Sequence, residues 1–315
     1  MSRVFVFPGQ GSQFTGMGKD LSETFPEAKE IFQEIDDALS QKLTQLMFEG
    51  PENDLNLTEN TQPALMAVSL AVINVLVHQG GLDMKNTLSY VAGHSLGEYS
   101  ALTAAGGLDV ATCARLLKLR GQAMQAAVPV GIGSMAAILG LDFKDVEDIA
   151  KSVSDENICE PANDNSTGQV VVSGHKEAVE LAVEKAKQAG AKKAVTLPVS
   201  APFHCTLMAP AAQKMATALA DTNIRPPVVP LVCNVTAKAE TEPATIRRLL
   251  VDQVTQKVRW RESTQWMIEQ GATEFYEIGA GKVLSGLIKR INRDVATTSV
   301  GSPEQVETMI ETLKS

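Results

Sequence analysis

One serine stands between two glycines at Gly93-His94-Ser95-Leu96-Gly97, directly after the strand-like run Leu88-Ser89-Tyr90-Val91-Ala92. A Gly-x-Ser-x-Gly pattern with a strand before it and a helix after it suits nucleophilic chemistry at a hydroxyl. The glycines permit a sharp turn that lifts the serine oxygen clear of the sheet edge. The helix start beyond offers unpaired N–H groups and the positive end of a dipole. The N–H that follows the nucleophile, on Leu96, can then stabilise an oxyanion. The same residues would also serve a plain tight turn, so the rest of the chain must supply a base.

The chain has four histidines to offer. His78 ends an apolar helix before Gly80-Gly81, where C-terminal capping accounts for it. His94 adjoins Ser95, which points its ring away, into structure. His175 opens a helix and reads as surface. His204 remains, in Pro198-Val199-Ser200-Ala201-Pro202-Phe203-His204, a proline-stiffened return to the main body of the chain. Elimination and position select His204 as the base. No carboxylate presents itself as a third member: the acids between Ser95 and His204, such as Asp142, Asp145, Asp148, Asp155 and Asp164, fall mostly in a separate unit. Something other than a carboxylate is therefore expected to orient the histidine, which counts against an ordinary esterase.

Two glycine-rich stretches do not fit nucleotide chemistry. Gly9 and Gly11 begin a G-x-G pattern, but Phe14 occupies the third glycine position. Gly279-Ala280-Gly281-Lys282 lacks the spacing and the Ser/Thr of a phosphate loop. The loop Pro8-Gly9-Gln10-Gly11-Ser12-Gln13, at the end of the first strand, suits an oxyanion contact better. Arg120, in LLKLRGQAM, ends three largely apolar helical turns. On a surface it would be unremarkable chemistry; buried, its planar fork would hold a carboxylate at two points.

These residues need a scaffold, and the patterning predicts one. Val4–Phe7 is a buried-strand pattern closed by Pro8-Gly9. Helical periodicity covers residues 26–48, a loop 50–60, and a helix apolar on nearly every side 61–80. A strand at 88–92 and helices at 98–105 and 109–127 follow. Past a linker at 128–133, strands at 135–139, 157–162, 169–173 and 193–199 alternate with helices at 142–154 and 175–189. Strands at 231–234 and 274–278, a helix near 243–255 and another after Gly281 then resume the first grammar. The expectation is an α/β fold: a hydrolase-like large domain with a mostly parallel sheet, residues 1–130 and 200–315, carrying an inserted ferredoxin-like βαββαβ domain, residues 131–199.

Composition bounds the function. The chain has 315 residues, of which 44% are hydrophobic and 21% charged, as in a globular protein. No apolar stretch is expected to reach the roughly 20 residues of a membrane helix, and the N-terminus lacks a signal-peptide pattern. A cytoplasmic protein without membrane association is expected. Cys113, Cys159, Cys205 and Cys233 are scattered, which suggests neither a disulfide framework nor a metal cluster; Cys205 stands out because it follows His204. A net charge of −9 argues against nucleic acid. Residues 245–295 nevertheless carry nine Lys/Arg against six Asp/Glu, a basic window that could dock an acidic partner or could be a solvated face.

Taken together, FPGQGSQ at 7–13, TQPAL at 61–65, GHSLGEYSAL at 93–102, LKLRGQAM at 117–124, PANDNSTGQVVVSG at 161–174 and SAPFHC at 200–205 form an ordered set. CNVTA at 233–237, VRW at 258–260 and GAGKVLSGL at 279–287 extend it. The set resembles the malonyl-CoA:acyl carrier protein transacylases of type II fatty acid synthesis and the related acyltransferase domains of polyketide and fatty acid synthases, over essentially the whole chain. The resemblance implies Ser95 as nucleophile, His204 as base, Gln10 with the Leu96 N–H as oxyanion hole, and Arg120 as the grip on a malonyl carboxylate. It further implies that the main-chain carbonyl of Gln253 orients the histidine, that Asn163 lies in the substrate cleft, and that Phe203 goes with malonyl rather than methylmalonyl units. Lys257, before Val258, departs from the proline that many members carry. The implied reaction is ping-pong malonyl transfer to acyl carrier protein, with no metal or redox cofactor. The acidic carrier would dock on the basic window, with Lys257, Arg259, Lys282, Lys289 and Arg290 among its contacts, and a monomer would suffice. A serine thioesterase or esterase that uses water as acceptor is the alternative enzyme, and an idle acyl-CoA-binding module the non-enzyme one.

Overall fold

A computed structural model describes residues 2–199 and 201–314. The expected domain junction at 200 and the first residue of SAPFHC fall on Ser200, outside the described residues, as do Met1 and Ser315.

The strands are β1 (Ser2–Phe7), β2 (Tyr90–Gly93), β3 (Gly133–Leu139), β4 (Cys159–Ser166), β5 (Gln169–His175), β6 (Lys193–Thr196), β7 (Leu231–Cys233), β8 (Lys238–Glu240), β9 (Ala272–Ile278) and β10 (Ala296–Val300). They form two sheets. The larger has the order β10-β9-β1-β2-β7-β8 and is parallel except for the antiparallel edge strand β8. In β1 the alternation of side chains sends Phe5 and Phe7 to one face and Val4 and Val6 to the other, all fully buried. A strand apolar on both faces belongs inside a parallel sheet covered by helices. Each of those phenylalanines contributes about 1.5–3 kcal/mol by burial.

The phenylalanine face belongs to one core with the helices Pro26–Leu39, Thr58–His78, Gly97–Ala104 and Val110–Ala126, and the valine face to another with Trp260–Glu269 and Val283–Ile291. Thr58–His78, with 21 residues, is long and apolar enough to cross a membrane, which corrects the expectation that no stretch reaches that length. In the fold 83% of its most apolar window is buried, and it serves as the central helix of the core. In register, Phe7 pairs with Gly93, so the loops that follow β1 and β2 leave the sheet side by side.

The smaller sheet is antiparallel, in the order β4-β5-β3-β6, with the helices Phe143–Lys151 and Lys176–Gln188 on one face and a core of their own. Its other face contributes Met135, Ala162 and Val171 to the large core. Two main-chain bonds join it to the larger unit: Val258 N–H donates to Ala162 O (2.8 Å) and Asp164 N–H to Val258 O (2.9 Å). Beside them the Arg261 guanidinium grips the buried Asp164 carboxylate, with contacts as short as 2.8 Å.

Several boundaries differ from expectation. The helix expected over 26–48 is two, Pro26–Leu39 and Leu43–Glu49, divided where Ser40 adopts φ 48°. The expected loop at 50–60 holds a turn of helix, Glu52–Leu55, and the start of the long helix at Thr58. The strand expected to end at 162 runs on to Ser166, and the one expected to reach 199 stops at Thr196. The helices Ala209–Ala220, Trp260–Glu269 and Pro303–Lys314 and strand β10 were not foreseen in the sequence. In Trp260–Glu269 the buried face includes Ser263 and Thr264, polar residues that mask the apolar period.

Candidate active site

The turn after β2 is built by close backbone packing. A Cβ on Gly97 would lie 2.2 Å from Phe7 O, and one on Gly93 would lie 1.9 Å from Gly97 O. Only glycine lets the helix Gly97–Ala104 settle this deeply onto β1 and β2. Ser95, between them, adopts φ 53°, a left-handed conformation that costs a non-glycine residue roughly 1–3 kcal/mol. Asn234, just after β7, pins the turn from below. Its Oδ1 accepts the Ser95 N–H (2.8 Å) and its Nδ2 donates to Gly93 O (2.7 Å).

Ser95 Oγ lies 2.8 Å from His204 Nε2, although 109 residues separate them. His204 is itself left-handed, at φ 58°, just past Pro202-Phe203. Its Nδ1 is 2.8 Å from the main-chain oxygen of Gln253, which can only accept. Nδ1 therefore carries the proton, and in the neutral ring Nε2 is the acceptor for the serine O–H. Burial, with the charge of Arg120 next in importance, pushes His204 down to about 3, so the ring is neutral around pH 7.

The pentapeptide's own histidine is engaged with other partners. His94 is half-buried, its ring tilted over Trp260 at 5.8 Å between centroids, and its Nε2 lies 2.8 Å from Asn165 Oδ1. Cys205 is buried, its thiol bonded to Pro202 O and pushed up to about 11 by burial, which leaves it protonated and unreactive.

Arg120 is 1% exposed and reaches the same serine. Its position follows from Gly121, where a Cβ would lie 2.5 Å from the Glu59 Cα, so the helix Val110–Ala126 crosses the start of Thr58–His78 almost backbone to backbone. That crossing sets Arg120 opposite Gln62. The terminal nitrogen Nη1 donates to Gln62 Oε1 (2.8 Å); Nη2 donates to Gln253 Oε1 (2.8 Å) and to Ser95 Oγ (3.1 Å). All of these acceptors are neutral, and among the described residues no carboxylate forms an ion pair with Arg120. A buried guanidinium whose hydrogen-bond partners are all neutral has donors that an anionic ligand would engage more strongly.

Gln10, Ser95, Leu96, Arg120, Asn163, Phe203 and His204 line one cavity of about 110 Å³, room for a short acyl group. Gln62, His94, Met124, Met135, Leu197 and Val199 complete its wall. The Gln10 side chain donates to Thr58 Oγ1 at 3.4 Å. The Leu96 N–H stands just ahead of the helix Gly97–Ala104, where no intrahelical acceptor exists. The loop around Lys257 is held by an ion pair to Glu262 (3.9 Å) and by the Lys257 ammonium over the Phe143 ring.

Sequence reasoning missed Gln62, Asn165 and Asn234, amides whose partners lie far away in the chain and leave no local spacing. It also missed the role of Glu98, the residue directly after the pentapeptide that it began from. Glu98 is 1% exposed, and its Oε2 accepts from Gln253 Nε2 (2.7 Å) and from the Asn234 N–H (3.0 Å). Among the described residues no cluster of three or more His, Cys, Asp or Glu is placed to hold a metal ion.

A nucleophile–base pair at a glycine-built turn, in a cleft that also holds a buried guanidinium, fits acyl transfer. The profile of the acyl transferase domain matches residues 4–314. The chain belongs to the acyl transferase domain family. It is 48% identical over 316 residues to the malonyl CoA-acyl carrier protein transacylase of Bacillus subtilis, covering 100% of this chain and 98% of that one. Among solved structures it is similar to the acyl-carrier-protein-S-malonyltransferase from Bartonella henselae, with a TM-score of 0.98, 55% identity and full coverage of both chains. It is also similar to a malonyl-transacylase in complex with its type II polyketide acyl-carrier protein, with a TM-score of 0.95 and 45% identity over 99% of this chain and 100% of that one.

Proposed function

We propose that this protein transfers the malonyl group of malonyl-CoA to the phosphopantetheine thiol of acyl carrier protein, by way of a malonyl ester on Ser95. The observation that carries this reading is the joint arrangement at one hydroxyl: His204 Nε2 at 2.8 Å and the buried Arg120 Nη2 at 3.1 Å. A hydrolase needs the first contact; a carboxylated acyl group gives a reason for the second.

His204 Nε2 takes the Ser95 proton while Oγ bonds to the thioester carbonyl carbon. The oxyanion rests on N–H donors of Leu96 and Gln10. The C–S bond breaks, and His204 returns the proton to the departing CoA thiolate. The carrier thiol then gives its proton to His204, attacks the malonyl ester, and Ser95 leaves with that proton. Gln253 O holds the histidine throughout. The terminal nitrogens of Arg120 donate to the malonyl carboxylate, and Asn163 and Phe203 bound the acyl group. Both substrates are consumed without a cofactor in this scheme.

Two units are part of the same reading: a hydrolase-like one of residues 1–130 and 200–315, and a ferredoxin-like insert, 131–199, supported by the order β4-β5-β3-β6 and its separate core. The carrier protein is proposed to dock on the 245–295 face. There Lys257 and Arg259 are tied to Glu262, Lys289 is bonded to the Arg293 and Val295 carbonyls, and the exposed Arg290 donates to Gln169 Oε1 (2.7 Å), whereas Lys282 stands exposed. A cytoplasmic monomer completes the proposal.

Incubation with malonyl-CoA, followed by mass analysis of the peptide containing Ser95, tests it. Malonyl on Ser95, discharged by a carrier thiol much faster than by water, is the expected result. An unmodified Ser95, or discharge by water as fast as by thiol, would sink the reading.

A further inference from the structure

Acyl-transfer sites of this geometry need something to hold the histidine, and here a neutral carbonyl does so. An acid is nevertheless present one link farther back. Gln253 acts at both ends: its main-chain oxygen accepts from His204 Nδ1, and its side-chain oxygen accepts from Arg120 Nη2. Its side-chain nitrogen donates to Glu98 Oε2 at 2.7 Å and to Ser95 O at 3.0 Å. A side-chain amide can present either oxygen or nitrogen to a given neighbour. A carboxylate can only accept, so Glu98 fixes the nitrogen toward itself and the oxygen toward Arg120. The same Oε2 accepts the Asn234 N–H, and Asn234 in turn holds the Ser95 turn.

Resting on the malonyl-transfer reading above, we propose that Glu98 is the acid of this site: a positioning residue that acts through the Gln253 side chain on Arg120 and through the Gln253 main chain on His204. Its charge has work to do as well. When His204 takes the Ser95 proton, two cations share a buried pocket, and Glu98 is the anion that faces one of them, Arg120. The groups facing Glu98 are Arg120 from the helix Val110–Ala126, Cys233 from β7 and Tyr99 on its own helix. Burial raises the thiol and the phenol, so both stay neutral and Arg120 is the charge opposite. Burial also pushes the Glu98 carboxyl up to about 7, so its ionisation falls in an accessible range, well clear of His204 at about 3.

The test compares native protein with Glu98→Gln, Gln253→Met and the double variant, measuring malonyl loading of Ser95 across about pH 6 to about 8. Glu98→Gln keeps an acceptor for Asn234 and Gln253 and removes only the charge. Loading by native protein should rise with pH through the Glu98 ionisation, whereas Glu98→Gln should stay near the low-pH rate, about 10- to 100-fold down at high pH. The double variant should be little worse than Gln253→Met, because both changes break one chain of contacts. Glu98→Gln loading at the native rate with the native pH profile overturns the inference, even with a shifted thermal midpoint, and so do losses that multiply in the double variant. Should Glu98→Gln not fold, the native profile decides: a rate flat across that range overturns the inference. Native protein that loads normally separates such a failure from failure of the malonyl-transfer reading, which native protein unable to load at all would overturn as well.

Discussion

Truncating Arg120 to alanine should convert a malonyl-selective site into one that scarcely distinguishes malonyl from acetyl. The magnitude follows from the fork. Of the bonds its terminal nitrogens make, the one to Ser95 Oγ is the longest, at 3.1 Å, against 2.8 Å to each glutamine. A malonyl carboxylate would take over that Nη2 hydrogen and the second hydrogen of Nη1, leaving both glutamine contacts in place. Two charge-assisted bonds at about 1.5–3 kcal/mol each come to about 3–6 kcal/mol. At about 1.4 kcal/mol per decade, that is a loss of about 10²- to 10⁴-fold. Acetyl has no carboxylate, so its loading should change far less, and the loss should appear in the malonyl-over-acetyl ratio. Arg120→Lys, a point charge without the planar fork, should fall in between. The assay is the initial rate of acyl-enzyme formation from malonyl-CoA and acetyl-CoA, read by intact mass, alongside a melting curve. A preserved ratio in a folded Arg120→Ala protein refutes the assignment.

His204→Ala should slow Ser95 acylation by about 10²- to 10⁴-fold. It should also flatten acid unfolding: native His204 sits at about 3 and unfolded histidine near 6.5, so the unfolded chain binds the extra proton between those values and stability falls as pH drops through that window. An unchanged acid limb in urea titrations would contradict the burial argument. Gly97→Ala sets a Cβ 2.2 Å from Phe7 O, backbone against backbone, and should destabilise by at least the about 1–3 kcal/mol of ordinary overpacking. A native melting temperature would show the approach to be looser than described. Lys282→Glu with Arg290→Glu should raise KM for the carrier protein several-fold and leave KM for malonyl-CoA alone. Equal effects on both would remove the docking role.

What could be read beforehand follows the range of each signal. Strands β1 and β2 and the helices beside them announced themselves because their apolar periods are local and uninterrupted. The Ser95 turn was legible from its local Gly-x-Ser-x-Gly pattern: Gly93 answers a demand four positions away, at Gly97, although Gly97 itself answers one from the distant Phe7. Arg120 drew notice because a charge closed an apolar stretch, yet its burial depends on Gly121 meeting Glu59 on another helix. Asn234 and Gln62 carry no such mark: an amide that satisfies a distant backbone group looks like any surface amide. Glu98 was hidden differently. Acids were sought between serine and histidine at a distance, whereas this one stands one helical turn from Ser95 and reaches the histidine through a residue 155 positions farther on.

The cleft wall has a divided origin. Ser95, Leu96, His204 and Arg120 come from the larger unit, where close glycine contacts and paired amides fix them. Met135, Asn163, Leu197 and Val199 come from the smaller sheet and the chain just past it. Chemistry and cavity shape are thus inherited through different parts of the polypeptide. Drift or recombination within the smaller sheet can reshape which acyl chains fit while the reacting atoms keep their spacing, so long as the Val258 bonds and the Arg261–Asp164 pair still dock that sheet. For laboratory evolution of extender-unit choice, libraries confined to those wall positions would explore new substrates at little risk to turnover.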